Sequence, residues 1–309
     1  MASLRDIRSR IASVQNTQQV TRAMKMVAAA KLRRAQERIF ATRPYAFKIR
    51  DVIGHLKDVV DPSKHPLFVR REVTNRLVIV VTADRGLAGP FNTNAIKTAE
   101  LAVRETPAGG TTFVIAVGRK GHDYFAKRGV TLVGDHRGVF ARLDVSTADA
   151  VADDAVAGFR DGRWDEVVVV YNEFKNTISQ NRIAEPLLPI PAERFLTPVM
   201  EADEASVPAA LVKGAKVPSE PDYLFEPSPD AILDALVPQY LTSQLWRILL
   251  ESNASEQGAR MMAMDNATTN ADELLKALRL SYNQARQAAI TTELIEIVSG
   301  ANALAEANA

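Results

Sequence analysis

Apolar residues recur at helical spacing in two long stretches, one at each end of the chain. Near the N-terminus the pattern continues from about residue 3 to the high fifties, with Leu4, Ile7, Ile11, Val14, Ala28, Leu32, Ala35 and Ile39. The stretch from about 229 to 305 repeats it, with Leu233, Leu236, Tyr240, Leu274, Leu278, Tyr282, Ala285 and Ala289. An apolar residue every three or four positions lines one side of an α-helix. The pattern therefore predicts two long helices.

Proline and glycine are nearly absent from the same two stretches. Residues 1–43 contain neither, and residues 239–309 contain no proline and only Gly258 and Gly300 as glycines. Since proline costs about 3 kcal/mol and glycine about 1 kcal/mol inside a helix, this absence favours uninterrupted helices. Pro44 is a candidate kink in the first helix, and the segment DPSKHP at 61–66 is expected to end it.

The middle of the chain has the pattern of a buried sheet. Three short runs rich in β-branched residues are bounded by turn residues, and they lie at 76–82, 112–117 and 166–171. Their apolar residues are continuous rather than alternating, which is typical of strands buried on both faces of a parallel sheet. Helix-like segments at 92–106 and 147–161 are expected to cross between strands. The proline-rich stretch 178–221 predicts an edge strand and irregular loops.

Together these elements predict an α/β fold combined with a long coiled coil. Antiparallel N- and C-terminal helices, 1–60 and 229–309, are expected to form a stalk, with a Rossmann-like α/β domain inserted at 75–215. Charge favours this pairing. Residues 1–50 carry 12 basic and 2 acidic side chains, a net +10, whereas 226–309 carry 5 basic and 11 acidic ones, a net −6. Because exposed ion pairs contribute only about 0.2–1 kcal/mol each, apolar burial is expected to hold the seam.

Composition excludes several kinds of chemistry. The 309 residues include no cysteine, which removes disulfides, thiolate metal sites and a cysteine nucleophile. The histidines show no metal-binding spacing; they are His55, His65, His122 and His136. No apolar run approaches the ~18 residues of a membrane span. The charged opening MASLRDIRSR is unlike a secretory signal. We therefore expect a protein that is soluble or peripheral to a membrane.

Two glycine-containing turns are the candidate nucleotide sites. The turn TADRGLAG (82–89) follows the first predicted strand, where α/β folds cradle phosphates, and GRKG (118–121) follows the second. The first turn contains neither the dinucleotide-binding glycine pattern nor the P-loop pattern, so the lysine that would reach a phosphate is missing there. Structural turns are favoured at both places, with a nucleotide site as the alternative.

Patterns for catalysis and for nucleic-acid binding are weaker still. The acidic pairs at 153–154 and 165–166 have no catalytic spacing, and we interpret them as a solvated helix face and a strand entrance. Arg33, Arg34 and Arg38 can meet phosphate, but the first 39 residues contain no aromatic residue. Nucleic-acid binders usually add aromatics or a recognisable module. A solvated or protein-facing surface is favoured for these arginines.

Polar residues interrupt the apolar pattern of the last helix. They are Arg260, Asp265, Asn266, Arg286, Gln287 and Thr291. One interpretation is an ordinary exposed helix face. The other is a face that meets further chains, where alanines allow close approach and a few polar groups supply directional contacts.

Several longer motifs occur in a single order along the chain. The longest are IRSRIASVQNTQQVTRAMKMVAAAKLRRAQ (7–36) and YNQARQAAITTELIEIVSGA (282–301). Between them lie TADRGLAG, YLFEP (223–227) and SEQGARMMAMDNAT (255–268). Through these motifs the chain resembles the γ-subunit family of the F-type ATP synthases, over nearly its whole length.

The resemblance implies a rotor shaft without an active site of its own. In that family the terminal helices form a coiled coil inside a hexamer of three α and three β subunits. The inserted domain lies on the membrane ring of c subunits, beside ε. ATP and Mg²⁺ bind to the hexamer and catalysis belongs to β, so no cofactor is implied for this chain. Turning an asymmetric shaft changes the affinity of each β subunit in turn, which couples proton translocation to ATP synthesis.

The resemblance also implies which residues contact the partners. Contacts with α and β are implied for Met24, Lys25, Arg260, Arg286, Gln287, Thr291, Glu293 and Glu296. Tyr223 and Glu226 match positions near the c-ring and ε. Lys25 lies beside the site that faces an acidic loop of β in the family. The apolar end, 294–304, suits a bearing in which few directional bonds oppose turning.

Departures from the family pattern narrow the expectation. Photosynthetic relatives carry a cysteine-containing regulatory insert, and a chain without cysteine excludes that thiol control. The segment 200–216 looks longer than usual, and its role as a loop or as a contact for ε or an inhibitor stays open. Lack of an evident presequence favours a bacterial protein, peripheral on the cytoplasmic side of the plasma membrane. A stand-alone nucleotide-binding enzyme, a nucleic-acid-binding coiled coil and a rotary-ATPase stalk without the α/β insertion are the competing classes.

Overall fold

The computed structural model describes residues 3–60, 65–191, 197, 199 and 226–307. Five α-helices and five strands follow one another in this part of the chain. In order they are α1 (Leu4–Val59), β1 (Arg76–Val81), α2 (Phe91–Arg104), β2 (Thr112–Val117), α3 (Arg119–Phe125), β3 (Thr131–His136), α4 (Val145–Arg160), β4 (Glu166–Phe174), β5 (Gln180–Leu188) and α5 (Pro229–Ala307). Short 3₁₀ turns, Ala126–Arg128 and Val139–Ala141, follow α3 and β3.

The two predicted long helices are confirmed as α1 and α5. Each begins with a capping serine. Ser3 Oγ accepts a hydrogen bond from the Asp6 N–H, and Asp6 Oδ2 accepts one from the Ser3 N–H, which is a reciprocal capping box. Ser228 Oγ accepts from the Ala231 N–H just before Pro229, where a proline is tolerated because the first turn needs no N–H donor. Helix α1 continues through Pro44, and α5 contains Pro238 in its interior.

The middle of the chain forms one five-stranded sheet in the order β3-β2-β1-β4-β5. Strands β1 to β4 are parallel, and β5 pairs antiparallel with β4 at one edge. The three predicted strands are the central ones, β2, β1 and β4. The edge strand expected after residue 178 is β5, and α2 and α4 are the expected crossover helices.

Strand β3 is absent from the prediction because its sequence lacks a continuous apolar run. Its residues TLVGDH include a glycine and an aspartate, and they lie at the sheet edge with none fully buried. A half-exposed edge strand needs no apolar residue on its open side. The prediction from continuous apolar runs therefore identified the buried strands and missed this one.

The contacts of the chain group into two units. One unit comprises residues 1–27 and 263–309, and the other comprises residues 28–262. In the second unit the sheet, α4, the later part of α1 and the early part of α5 share one apolar core, in which Leu56, Leu77, Phe159, Val237 and Leu249 are at most 1% exposed. The predicted three-part division at 1–60, 75–215 and 229–309 stays a prediction.

The first unit is an antiparallel pair of helices. Arg8 Nη2 donates to the Tyr282 hydroxyl at 2.7 Å, and the Thr21 and Thr268 hydroxyls lie 2.8 Å apart. Residue numbers rise along one helix as they fall along the other, which confirms the antiparallel pairing. Buried Ile7, Ala271 and Leu275 supply apolar contact in this unit. Within the described residues, no helix has the length and apolar character needed to cross a membrane.

Candidate functional site

The TADRGLAG turn lies at the carboxyl edge of the sheet and forms hydrogen bonds with neighbouring segments of the same chain. Asp84 Oδ1 accepts hydrogen bonds from the backbone N–H of Arg119 at 3.0 Å and of Gly138 at 2.7 Å. The Ala83 N–H donates to Asn92 Oδ1 at 2.8 Å, which joins the turn to α2. Leu87 adopts a left-handed φ of 60°, uncommon for a residue with a side chain, and its side chain is exposed.

These contacts favour a structural turn over a nucleotide site. The backbone N–H groups of Arg119 and Gly138, which a phosphate would need, already bind the Asp84 carboxylate. A second anion at this place would meet like charge. Gly118 has a φ of 94° and approaches the Thr82 carbonyl so closely that a Cβ would overlap it. The GRKG turn is thus explained by close packing of two strand ends.

Arg260 is held inside the second unit. Its Nη1 lies 2.5 Å from Glu256 Oε1, and its Nη2 donates to the Gly86 carbonyl at 3.3 Å. The two charged side chains are only 12% and 6% exposed. Burial raises the pKa of Glu256 above its ordinary value, although the Arg260 guanidinium opposes that shift. The guanidinium group of Arg260 therefore links α5 to the TADRGLAG turn. The contact of Arg260 with α or β stays a prediction.

A second buried ion pair fastens α5 to the sheet. Arg247 Nη2 lies 2.7 Å from each oxygen of Glu185 on β5, and Arg247 Nη1 donates to the Tyr171 hydroxyl on β4 at 3.1 Å. Burial lowers the pKa of Arg247, but the Glu185 carboxylate and the Tyr171 hydroxyl beside it together outweigh burial, so the pKa lies above its ordinary value. Burial also raises the pKa of Tyr171. Sequence reasoning missed this cluster because its members lie far apart in the chain and belong to no motif.

Four residues of the other charged motifs have partners within the chain. Asp165 Oδ2 accepts from the backbone N–H of Thr74 and Asn75, and Glu166 Oε2 lies 2.7 Å from Arg76 Nε. Of the N-terminal arginines, Arg33 pairs with Glu37 at 3.1 Å. Arg38 donates to the Leu143 carbonyl at 3.3 Å. Among the described residues, no group of three or more His, Asp or Glu side chains can hold a metal ion.

Lys25 has a partner within its own unit. Its Nζ lies 2.6 Å from Asp265 Oδ1, and both side chains are about two-fifths exposed, at 40% and 43%. Met24, its neighbour, is half-buried. A contact from this pair to an acidic partner loop stays a prediction, in which a partner carboxylate would compete with Asp265.

The far end of α5 presents the other predicted contact residues to solvent. These exposed residues are Arg286, Gln287, Thr291, Glu293 and Glu296. The Thr291 hydroxyl donates to the Gln287 carbonyl at 2.9 Å. Its oxygen can therefore accept a hydrogen bond from a partner subunit, but its proton is already in use. Apolar residues between them are exposed as well: Ile290 49%, Leu294 58%, Ile295 60%, Ile297 67% and Val298 57%. Glu226 is exposed at the start of the segment leading into α5, and Tyr223 lies outside the described residues.

Comparisons with known proteins agree over the full chain. A family model described as ATP synthase matches residues 3–304. The ATP synthase gamma chain of Salinibacter ruber is 59% identical over 311 residues, which cover 99% of each chain. The ATP synthase gamma chain of Chloroherpeton thalassium is 50% identical over 309 residues, 98% of this chain and 99% of that one.

Solved structures show the same fold. A chain from the central stalk and c-ring of the Tetrahymena thermophila mitochondrial ATP synthase is 26% identical, with a TM-score of 0.55, over 80% of this chain and 99% of its own. A chain from the rotor of the Euglena gracilis enzyme is 19% identical, with a TM-score of 0.61, over 93% and 98%. The second likeness carries the fold alone. With the family model and relatives at half identity or more, the chain belongs to the family of ATP synthase gamma chains.

Proposed function

We propose that this gamma chain is the central rotor shaft of a proton-translocating ATP synthase. Rotation of a c-ring would turn the shaft, and the shaft would change the conformation of each catalytic β subunit in turn. The chain supplies no active site to this reaction; its role is mechanical. The proposed partners are the α₃β₃ hexamer, which binds ATP and Mg²⁺, together with ε and the c-ring.

One observation carries the proposal beyond family membership. The end of α5 leaves five large apolar side chains about half or more exposed, at positions 290, 294, 295, 297 and 298. Contiguous exposed apolar residues mark sites that contact other macromolecules. Four of them, at 290, 294, 297 and 298, follow the i, i+4, i+7, i+8 spacing that places residues on one face of a helix, and 295 lies beside them. An uncovered apolar face suits contact with surrounding subunits, because few directional bonds there would oppose turning.

Polar residues on the same end of α5 supply the candidate directional contacts. Arg286 and Gln287 are exposed long side chains whose charge and amide group can pair with loops of α and β. Thr291, Glu293 and Glu296 extend this polar set by up to three further turns. Met24, Lys25 and Arg260 are the contacts proposed elsewhere in the chain. Contacts of Tyr223 and Glu226 with the c-ring and ε belong to the same proposal.

The complex would hold the chain at a membrane, since none of the described helices can span one. We infer a peripheral position on the cytoplasmic side of a bacterial plasma membrane, reached through the c-ring. The most similar relatives named above come from bacteria, which supports that position.

A gentle purification from detergent-solubilised membranes tests the assignment. A tag on this chain should recover a large native-gel band with ATPase activity that contains α, β, ε and c subunits. A lone inactive chain, under conditions that keep other membrane complexes intact, would contradict the rotor function. Binding of nucleotide by the purified chain at micromolar concentration would instead support the stand-alone enzyme.

A further inference from the structure

Two arginines of α5 reach the inserted sheet. Arg247 Nη2 lies 2.7 Å from each oxygen of Glu185 on β5, and Arg247 Nη1 donates to the Tyr171 hydroxyl on β4 at 3.1 Å. Further along α5, Arg260 Nη2 donates at 3.3 Å to the carbonyl of Gly86, in the turn after β1. Directional bonds therefore tie α5 to three segments of the second unit.

The two arginines leave α5 on different sides of the helix. They are 13 residues apart in the chain, which corresponds to ~20 Å along the helix axis and ~140° around it. In the sheet, β4 lies between the strands that the two arginines approach, since the order is β1-β4-β5. Rotation of α5 about its own axis would displace both links, and a sideways shift of the helix could not relieve both at once.

Apolar packing alone would resist such a rotation less. Val237, Leu241 and Leu249 bury α5 against the core, but the hydrophobic effect depends on the area removed from water and has no direction. Hydrogen bonds weaken steeply as they leave their preferred geometry, and a bidentate ion pair fixes two of them together. The side chains of Arg247 and Glu185 are only 12% and 8% exposed, so water screens their attraction little.

The far end of α5 has the opposite character. Its exposed apolar side chains at 290, 294, 295, 297 and 298 offer few directional bonds to a surrounding subunit. A shaft that turns among other subunits needs such freedom where it turns and a firm connection to the part that drives it. The directional bonds of α5 to the sheet supply that connection.

We propose that Arg247 is a positioning residue that, together with Glu185 and Tyr171, transmits torque between the inserted sheet and α5. The bond from Arg260 to the turn after β1 is the second link and acts in parallel with the first. This inference rests on the proposed function, because torque passes through this chain only if the chain is a rotor.

A substitution that keeps the packing and removes the polar link separates this role from stability. Arg247→Met, Glu185→Leu and Tyr171→Phe together replace the cluster by apolar side chains of similar size. Replacing a buried ion pair in this way is often neutral for stability or stabilising. We therefore expect the triple variant to stay folded, as measured by urea denaturation, and to assemble.

The torsional stiffness of the assembled rotor is the measurement. The chain has no cysteine, so Leu101→Cys on α2, where the side chain is 58% exposed, supplies one thiol for a bead. The bead is attached before the chain is assembled with α and β, and the hexamer is then fixed to a surface without nucleotide. The variance of the bead angle is inversely proportional to the stiffness. Since one of two parallel links is lost, we expect the triple variant to raise this variance about twofold.

A second buried ion pair in the sheet provides the matched control. Arg76 Nε lies 2.7 Å from Glu166 Oε2, and the two side chains are 13% and 24% exposed. This pair joins β1 to β4, which the sheet ladder already holds together. Arg76→Met with Glu166→Leu should therefore leave the variance of the bead angle unchanged.

Two results overturn the proposal. One is a folded and assembled triple variant whose variance equals that of the unsubstituted chain, and the other is an equal rise in the control. If the triple variant does not assemble, Arg247→Lys replaces it, because lysine keeps the charge and loses the bidentate geometry. An unchanged variance in Arg247→Lys would then overturn the proposal. Failure of the proposed function is distinguishable, because the unsubstituted chain would form no rotating complex with α and β.

Discussion

Single side chains join the last helix to the inserted sheet at two places. Arg247 binds Glu185 and Tyr171 on β5 and β4, while Arg260 binds Glu256 and the carbonyl of Gly86. Both arginine side chains are 12% exposed. Removing one partner of a buried pair leaves the other charge without compensation, so these residues are where small changes should have large effects.

Arg247→Ala tests the first of these pairs. It leaves the Glu185 carboxylate, 8% exposed as a side chain, without a cation, and we expect the free energy of unfolding to fall by about 3–5 kcal/mol. Urea denaturation followed by circular dichroism measures the change. Lys97→Ala, at an exposed position on α2, is the control and should stay within about 0.5 kcal/mol of the unsubstituted chain. Equal stability of the two variants would contradict the role of the pair.

Gly158 on α4 should tolerate no side chain. A Cβ there would overlap the six-membered ring of Trp164, which is 1% exposed and donates through Nε1 to the Ala155 carbonyl at 2.9 Å. We expect Gly158→Ala to destabilise the fold by about 1–3 kcal/mol, the usual effect of overpacking a core. Gly86→Ala is the matched control, since nothing lies within 4 Å of its Cβ position. Thermal unfolding of both variants should rank them in that order.

His65 should make stability depend on pH. Burial holds the pKa of His65 below its ordinary value of 6.5, against the pull of the Asp234 carboxylate 3.3 Å from Nε2. Its Nδ1 accepts from the Leu67 N–H at 3.3 Å, a bond that a second ring proton would break. A base with a lowered pKa binds fewer protons when folded, so its stabilising effect is present above about pH 6.5 and is lost as pH falls below it.

The free energy of unfolding should therefore decrease as the pH falls below about 6.5. His65→Gln should flatten this dependence, because glutamine does not titrate, whereas His122→Gln should leave it in place. Urea titrations at several pH values measure both slopes. An unchanged slope in His65→Gln would show that other groups cause the pH dependence.

Element by element, apolar packing and hydrogen bonds contribute differently to the two units. The sheet and its helices are held by a continuous buried core, in which β1 has five successive fully buried residues. Among the described residues, the helix pair of residues 1–27 and 263–309 buries few apolar side chains. Polar pairs join its helices, the Thr21–Thr268 pair partly buried and the Lys25–Asp265 pair about two-fifths exposed. Exposed polar pairs are weak, so this helix pair should open more readily than the core.

Asp265→Asn tests how much one polar pair contributes. The Lys25–Asp265 pair is about two-fifths exposed, and we expect its loss to lower the free energy of unfolding by less than about 1 kcal/mol. Screening by about 1 M NaCl should shrink the difference further. Urea unfolding of the substituted and unsubstituted chains at low and high salt provides the measurement. A loss well above this value, insensitive to salt, would mean that the pair is buried by something else.

At the scale of the whole molecule, function in the enzyme is expected to depend on exposed residues more than on residues that already contact other parts of this chain. The far end of α5 is exposed on its apolar and polar sides, and the chain belongs to the family of ATP synthase gamma chains. Exposed residues here contribute little to the stability of the isolated chain. Their effect should appear in the assembled enzyme.

Arg286→Ala and Gln287→Ala should each lower ATP-driven proton pumping and ATP synthesis by the complex while leaving the chain folded. Both side chains are exposed, so the contacts proposed for them are with partner subunits and not with the rest of this chain. Asn270→Ala, an exposed amide earlier on α5, is the control and should keep the coupled rate. Coupled synthesis and circular dichroism, measured on the same preparations, separate the two effects. Unchanged synthesis in both variants would contradict the contact assignment.

Local pattern alone determined the two long helices, the three central strands, the crossover helices and the family. These depend on residues close together in sequence, such as the continuous apolar run of β1 or the motif that ends at Ala301, and apolar spacing directly specifies which side of an element is buried. Tertiary structure alone decided the partners of polar groups. Arg247 meets Glu185 across 62 positions, and Arg260 meets Gly86 across 174. Such pairs have no sequence period, because they are chosen by which elements pack together. Edge strand β3 belongs to the same class, since pairing with β2 and not an apolar pattern makes it a strand.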